Sequence, residues 1–139
     1  MGQGSIIGYE INEKTCQISF YNEKDLEPDT LEVDTDNYQI PLIIGKLRDT
    51  WAYGKEAKRL VTIKDGFTAT RLLSKSLAGD KIEFGEETYD AVWLLSQFIQ
   101  MSLQSFPEID GIVFTVPSLS EEMAQMLRGI AVRMNIDKR

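Results

Sequence analysis

An α/β domain built on one mixed sheet is the fold class that this sequence predicts, and three features predict it. Residues 6–11 and 15–21 are short apolar runs on either side of a few polar residues, the pattern of a β-hairpin. Residues 87–106 form a long amphipathic segment, with Tyr89, Val92, Trp93, Phe98, Ile99 and Leu103 on one broad helical face. Residues 111–116 are continuously apolar between turn signals, as in an interior strand covered on both faces. A helical crossover into a strand requires that strand to lie parallel to a neighbour. Pairing it beside the first strand gives the spatial order 3-2-1-4.

The elements follow in order. In the hairpin, Cys16, Ile18 and Phe20 share one face, and Asn12 is the turn residue best able to take a left-handed conformation. The acidic stretch 22–29, closed by Pro28, reads as a loop, and a third strand is expected around 30–33. Residues 40–45 are a strand candidate, 51–53 a short return strand, and 55–59 one or two helical turns. Residues 67–78 place Leu72, Leu73 and Leu77 at helical spacing, and Gly79 suits the C-cap. A short strand at 81–84 follows. Glu86 and Glu87 suit the positive end of the long helix, which Pro107 stops. Ser118 with Glu121 fits a capping box, so a final helix is expected over 120–134. Residues 6–139 read as a single domain with a small α+β insertion at about 39–84. Residues 1–5 read as a disordered arm or expression remnant.

Composition narrows the function. The chain has 139 residues, a formal charge of −7, no histidine and one cysteine, Cys16. An acidic average surface argues against nucleic acid as a partner, since phosphate binding needs a basic stripe. Lys55, Lys58, Arg59 and Lys64 are a short basic stretch among acids, read as a solvated face. Without histidine or a CxxC pair, zinc sites, Ser-His-Asp triads and Cys-His dyads are excluded from these residues. Cys16 lies in an apolar alternation, as a small buried hydrophobe. No apolar run approaches the roughly 18 residues of a membrane span, so no membrane partner and a cytoplasmic location are expected.

Three segments resemble, in order, the start of the actin/DnaK-type ATPase fold. Ile7-Gly8-Tyr9-Glu10-Ile11-Asn12-Glu13-Lys14-Thr15 is similar to the family's first phosphate loop, I-G-I-D-L-G-T-T. Ile40-Pro41-Leu42-Ile43-Ile44 followed by Tyr53-Gly54-Lys55-Glu56-Ala57-Lys58 resembles its "P-S-x-x-x … x-G-x-x-A-K" segment. Ile112-Val113-Phe114-Thr115-Val116-Pro117-Ser118 resembles its "x-V-I-T-V-P-A" strand. The resemblance implies a ribonuclease H-like half-domain, the first lobe of a two-lobed fold. It offers no counterpart for the second phosphate loop or the adenosine pocket.

Under that resemblance the nucleotide phosphate-loop positions are Glu10, Asn12, Glu13, Lys14 and Thr15. Glu10 falls on the aspartate that holds magnesium through water, Asn12 on the turn glycine, and Glu13 and Lys14 on two threonines. A carboxylate and an ammonium thus replace two hydroxyl donors; the first repels polyphosphate and the second attracts it as a point charge. Residues 67–77 resemble the chaperone branch's K-R-L-I-G region, with Thr70 where that lysine stands, before Arg71-Leu72-Leu73. The expectation is a binding or scaffold module with no catalytic residue of its own. The alternative is a fragment of an ATPase or related phosphotransferase whose ATP and magnesium site needs a longer parent protein. The expected partner is the missing second lobe, or a second copy meeting the exposed face. Glu10, Glu13 and Lys14 are equally ordinary on a plain hairpin turn. Trp93 and Phe98 read as helix-face core, and Trp51 and Tyr53 as packing of the insertion or, less simply, a partner contact.

Overall fold

The computed structural model describes residues 5–21, 29–30, 38–106 and 108–134. Strands β1 (Ser5–Ile11) and β2 (Thr15–Tyr21) form the expected hairpin, with Tyr9 opposite Ile18 and Ile11 opposite Cys16. The other edge of β2 pairs with two short strands, β3 (Asp29–Thr30) and β4 (Gln39–Pro41). A distant strand, β10 (Ile109–Thr115), lies parallel to β1. The sheet order is therefore β10-β1-β2-β3, a mixed sheet in the order that the crossover argument requires.

The chain between β4 and β10 supplies the rest. Strands β5 (Ile44–Leu47), β6 (Thr50–Tyr53) and β7 (Gly66–Ala69) make a second sheet in the order β6-β5-β7. Helix α1 (Gly54–Arg59) and a single 3₁₀ turn (Leu60–Thr62) connect β6 to β7. Helix α2 (Leu72–Ala78) leads to the hairpin β8 (Lys81–Phe84) and β9 (Glu87–Asp90), then to α3 (Ala91–Ser102). After β10, α4 (Glu121–Arg133) closes the described chain.

Alternation decides which face of the main sheet is covered. Ile7, Tyr9, Ile11, Cys16 and Ile18 are fully buried and share one core with Leu94, Leu95, Phe98 and Ile99 of α3 and Met123, Leu127 and Ile130 of α4. Burying each such large side chain stabilises the fold by about 1.5–3 kcal/mol, so this layer carries most of the apolar driving force. The residues between them point the other way. Ile6 is 50 % exposed and Val113 60 %, so no helix among the described residues covers that second face.

Several expectations are corrected. The helical reading of 67–78 breaks in two: residues 67–69 pair with β5 as a strand, and α2 starts only at Leu72. Arg71, before it, takes the left-handed conformation at φ 53°. The long helix is shorter at both ends. Residues 87–90 pair with β8, which takes Glu87 out of the helix, and α3 ends at Ser102 rather than Phe106. Residues 40–45 are not one strand, because β4 serves the main sheet and β5 the second. Ser120, not Ser118, caps α4, its hydroxyl accepting the Met123 N–H at 3.1 Å. Among the described residues, β10 stands at the edge of its sheet and is open on one face, rather than being an interior strand. Ser5 belongs to β1 and not to an arm. The expectations for residues 1–4, 22–28, 31–33 and Pro107 lie outside the described residues.

Cys16 behaves as the small hydrophobe expected. Its thiol donates at 3.5 Å to the Tyr9 hydroxyl, which lies 2.7 Å from Ser102 Oγ. Ser102 Oγ gives its own proton to the Ile99 carbonyl at 2.8 Å, so Tyr9 must donate to Ser102. The result is a one-way buried chain, Cys16 to Tyr9 to Ser102 to Ile99. Burial pushes the Cys16 thiol up to about 12 and the Tyr9 phenol well above its usual value. Neither group ionises near neutrality, so both act as structure. Among the described residues no helix is long and apolar enough to cross a membrane.

Candidate functional site

The hairpin turn 12–14 lies beyond the carboxyl end of β1, level with the carboxyl end of β10, where Glu10 stands beside Thr115 and across from Gln17. The Asn12 N–H donates to the Thr15 carbonyl at 2.9 Å, closing the turn. The Asn12 side chain then turns inward. Its Oδ1 accepts the Lys14 N–H at 2.8 Å and the Thr15 N–H at 2.9 Å, with Thr15 Oγ1 at 3.5 Å. Asparagine is therefore used here for its carbonyl oxygen, as in an Asx turn. It does not adopt the left-handed backbone expected of it: the non-glycine residues that do, among those described, are Arg48, Asp65 and Arg71.

Glu13 is drawn to a different element. Its two carboxylate oxygens accept the Ser74 N–H and the Ser74 hydroxyl, both at 2.8 Å. Ser74 is the third residue of α2, where N–H groups have no partner within the helix. Since Arg71, at the N-cap, offers no side-chain cap, the carboxylate from β1–β2 fills that role from outside. On the other side of the turn, the Lys14 carbonyl accepts the Leu42 N–H at 2.8 Å and so anchors the link between β4 and β5. The Glu10 carboxylate and the Lys14 ammonium are left on exposed residues.

The five positions therefore come together in space, but four of them are engaged in holding the fold. Asn12 satisfies the turn, Glu13 caps α2, and the Lys14 and Thr15 N–H groups are already bonded. Among the described residues, no three His, Cys, Asp or Glu side chains gather as a metal site would require. Thr70 and Arg71 stand just before α2, with Arg71 exposed at its start.

A second cluster was not foreseen. Lys46 Nζ on β5 lies 2.8 Å from Glu87 Oε1 and 3.1 Å from the Tyr89 hydroxyl, which itself donates to Glu87 at 2.7 Å. The ammonium also sits 5.1 Å from the Trp51 ring centroid and 5.7 Å from that of Tyr89. Hydrogen bonds to Glu87 and Tyr89 hold Lys46 up at about 12, and the bond from Lys46 pulls Glu87 down. Trp51 further contacts Phe84 and Trp93, and Tyr89 stacks on Trp93 at 5.2 Å. The expected core role of Trp93 needs correction, because it is 39 % exposed, while Phe98 is buried as expected. Trp51 and Tyr53 pack within the protein, Tyr53 edge-on to Phe98. This cluster clamps the β8–β9 hairpin to the second sheet. The sequence signal for it was the density of aromatics in 51–93; Lys46 itself gave none.

Residues 27–139 match the family model described as "Family of unknown function (DUF5716) C-terminal". The chain belongs to this family. No curated protein matches it. The DUF5716 C-terminal match takes in the second sheet, α1 to α4 and β10, but begins after the hairpin. The turn carrying Glu10, Asn12, Glu13, Lys14 and Thr15 thus stands outside the stretch that defines membership. Structurally the hairpin is inseparable from that stretch, because β1 is the neighbour of β10 and Glu13 caps α2.

Proposed function

We propose that this chain is a non-catalytic binding or scaffold module on an actin/DnaK-type, ribonuclease H-like half-fold. The observation that carries the reading is the sheet, β10-β1-β2-β3 with β10 parallel to β1, and the turn that follows β1 beside the end of β10. In open α/β sheets, ligands gather beyond the carboxyl ends of the strands, and the position of this turn supports the reading.

Its chemistry speaks against polyphosphate. A phosphate cradle works by presenting several unpaired N–H groups to the anion. Here the Lys14 and Thr15 N–H groups are occupied by Asn12 Oδ1, and Glu13 adds a negative charge beside them. The residues present do not fit the group that the resemblance implies. Glu10, in the place of the magnesium-holding aspartate, and Lys14 are the two side chains left for a ligand.

One observation favours a second reading, a fragment of an actin/DnaK-type ATPase or phosphotransferase completed by a second lobe. The sheet face with Ile6 and Val113 is open among the described residues, as a face that meets another lobe would be.

Calorimetric titration of the chain with magnesium-ATP, with phosphate release assayed alongside, tests the non-catalytic reading. No binding and no hydrolysis are expected of the chain. Hydrolysis by the chain that disappears in Lys14→Ala overturns the non-catalytic reading in favour of the second.

A further inference from the structure

We infer that the turn joining α1 to β7 is a lipid-contact tip, which sets Val61 and Ile63 into the surface of an anionic membrane. This goes beyond the binding-module reading and uses no residue of the turn at 12–15. Residues 55–65 carry four cations, Lys55, Lys58, Arg59 and Lys64, against two carboxylates, Glu56 and Asp65, in a chain of formal charge −7. Sequence alone reads this stretch as a solvated face. The structure adds apolar side chains to it. Leu60 is buried, while Val61 on the 3₁₀ turn is 66 % exposed and Ile63 just after it 43 %. Single exposed aliphatics are ordinary on a protein surface. Here two fall within three residues, with Lys58 and Arg59 just before them and Lys64 just after, so that an apolar tip stands inside a basic collar.

The tip is held in shape by its own backbone. The Ile63 N–H donates to the Leu60 carbonyl and the Gly66 N–H to the Ile63 carbonyl, both at 3.1 Å. Thr62 Oγ1 donates to the Arg59 carbonyl at 3.4 Å. Gly66 has no room for a side chain, since a Cβ would lie 2.9 Å from the Leu60 carbonyl oxygen, so the turn closes tightly on itself. Backbone groups bonded in this way can approach a bilayer without being left unsatisfied. A preformed tip also loses less ordering entropy on contact.

Charge complementarity calls for an anionic partner, and the side chains favour a lipid surface over an acidic peptide. A peptide carboxylate is gripped best by an arginine fork. Arg59 is already drawn to Glu56, at 3.1 and 3.3 Å from its two oxygens. Lys58 and Lys64 are exposed point charges, which suit the diffuse negative potential of anionic headgroups. Val61 and Ile63 bring apolar area and no hydrogen-bonding group, and apolar area buried in the interface adds to the headgroup attraction. The acidic surface elsewhere does not cancel that attraction, because charges beyond the Debye length of about 8 Å are largely screened at physiological salt. A contact of this kind lies on a membrane rather than across it. It needs no spanning helix, and none is present among the described residues.

Vesicle flotation of the full chain tests the inference. Wild type is expected to float with vesicles of phosphatidylcholine mixed with phosphatidylserine, and not with phosphatidylcholine alone. Binding should weaken as salt rises. Lys58→Ala and Lys64→Ala should each weaken it about fivefold. Val61→Ser combined with Ile63→Ser should abolish it. Val61→Phe should strengthen it with the urea midpoint unchanged, a gain that loss of the fold cannot produce. A wild-type chain that binds no anionic vesicle overturns the inference, as does binding indifferent to the changes at Val61 and Ile63. Binding to a polyglutamate peptide in place of vesicles assigns the face to an acidic protein partner and overturns it too. Each of these failures leaves the magnesium-ATP result as it stands, because that titration is read on the turn at 12–15.

Discussion

Glu13 and Ser74, 61 positions apart in the chain, are joined by two 2.8 Å hydrogen bonds that run from a helix's first turn to a hairpin's tip. The contact ties α2 to β1–β2 and supplies a cap that the helix lacks locally. Glu13→Ala should therefore destabilise the fold by about 1 kcal/mol, the usual effect of losing an N-terminal cap. Ser74→Ala should lose less, because the N–H bond survives. In a double-mutant cycle followed by urea unfolding, the two effects should be clearly non-additive. Additive losses would mean that the carboxylate contributes only general charge.

Asn12→Gly should separate the two roles of the turn. Glycine removes Oδ1, freeing the Lys14 and Thr15 N–H groups, and restores the residue that the phosphate-loop resemblance expects. Stability should fall by about 1 kcal/mol through the lost hydrogen bonds and added chain entropy. If occupied N–H groups are what bars polyphosphate, this variant should bind magnesium-ATP more strongly than wild type, if only weakly. Unchanged binding would place the barrier at Glu13.

The main sheet was legible in the sequence because alternation in 6–21 and the apolar run 111–116 report local burial directly. What misled the reading were strands whose partners are remote. Phe67 and Tyr89 both lie in apolar spacings that suit a helix, yet pair with β5 and β8, and no local pattern announces that. Val113 shows the converse. An unbroken apolar run suggests cover on both faces, while the structure leaves Val113 exposed at an edge, because hydrophobicity records that cover is wanted and not whether the described fold supplies it. At the turn, sequence located the five positions, but the link from Glu13 to Ser74 is a tertiary contact that spacing cannot encode.

Tyr9→Phe should cost about 1 kcal/mol or somewhat more, by leaving Ser102 Oγ and the Cys16 thiol short of a partner in a fully buried site. Tyr9→Ala, which also removes the ring packed on Phe114, should cost about 3–5 kcal/mol. Thermal unfolding of the two variants should show that gap. Similar losses for both would assign the whole effect to the hydroxyl.

Alkaline pH should unfold the protein through the same cluster. The folded state holds the Cys16 proton up to about 12, against an ordinary value of 9.0, and also raises Tyr9. A group with a raised folded pKa contributes stability that is complete below its unfolded value and is lost as pH rises toward the folded one. Urea midpoints should therefore fall between pH 9 and 12. Cys16→Ala should flatten the first part of that decline. Thiol-reactive probes should label native Cys16 only as fast as the fold opens; rapid labelling at neutral pH would contradict its burial.

Acid should act at the Lys46 clamp, with the opposite sign. Glu87 has a folded pKa below its ordinary 4.5, first through the Lys46 hydrogen bond and then through Tyr89. A depressed carboxylate contributes stability that is present above the unfolded value and is lost as pH falls through the folded one. Protonation removes the charge that strengthens the bonds from Lys46 and the Tyr89 hydroxyl to Glu87, loosening the hairpin against Trp51 and Trp93. Because both tryptophans line this cluster, their fluorescence should shift in a step centred below pH 4.5. Glu87→Gln should abolish the step while leaving the alkaline transition of Cys16 untouched. Lys46→Met, which keeps the stem against the rings but loses the charge, should move the step up toward the ordinary glutamate value. A step that survives Glu87→Gln would assign it to another carboxylate and remove the clamp from the account.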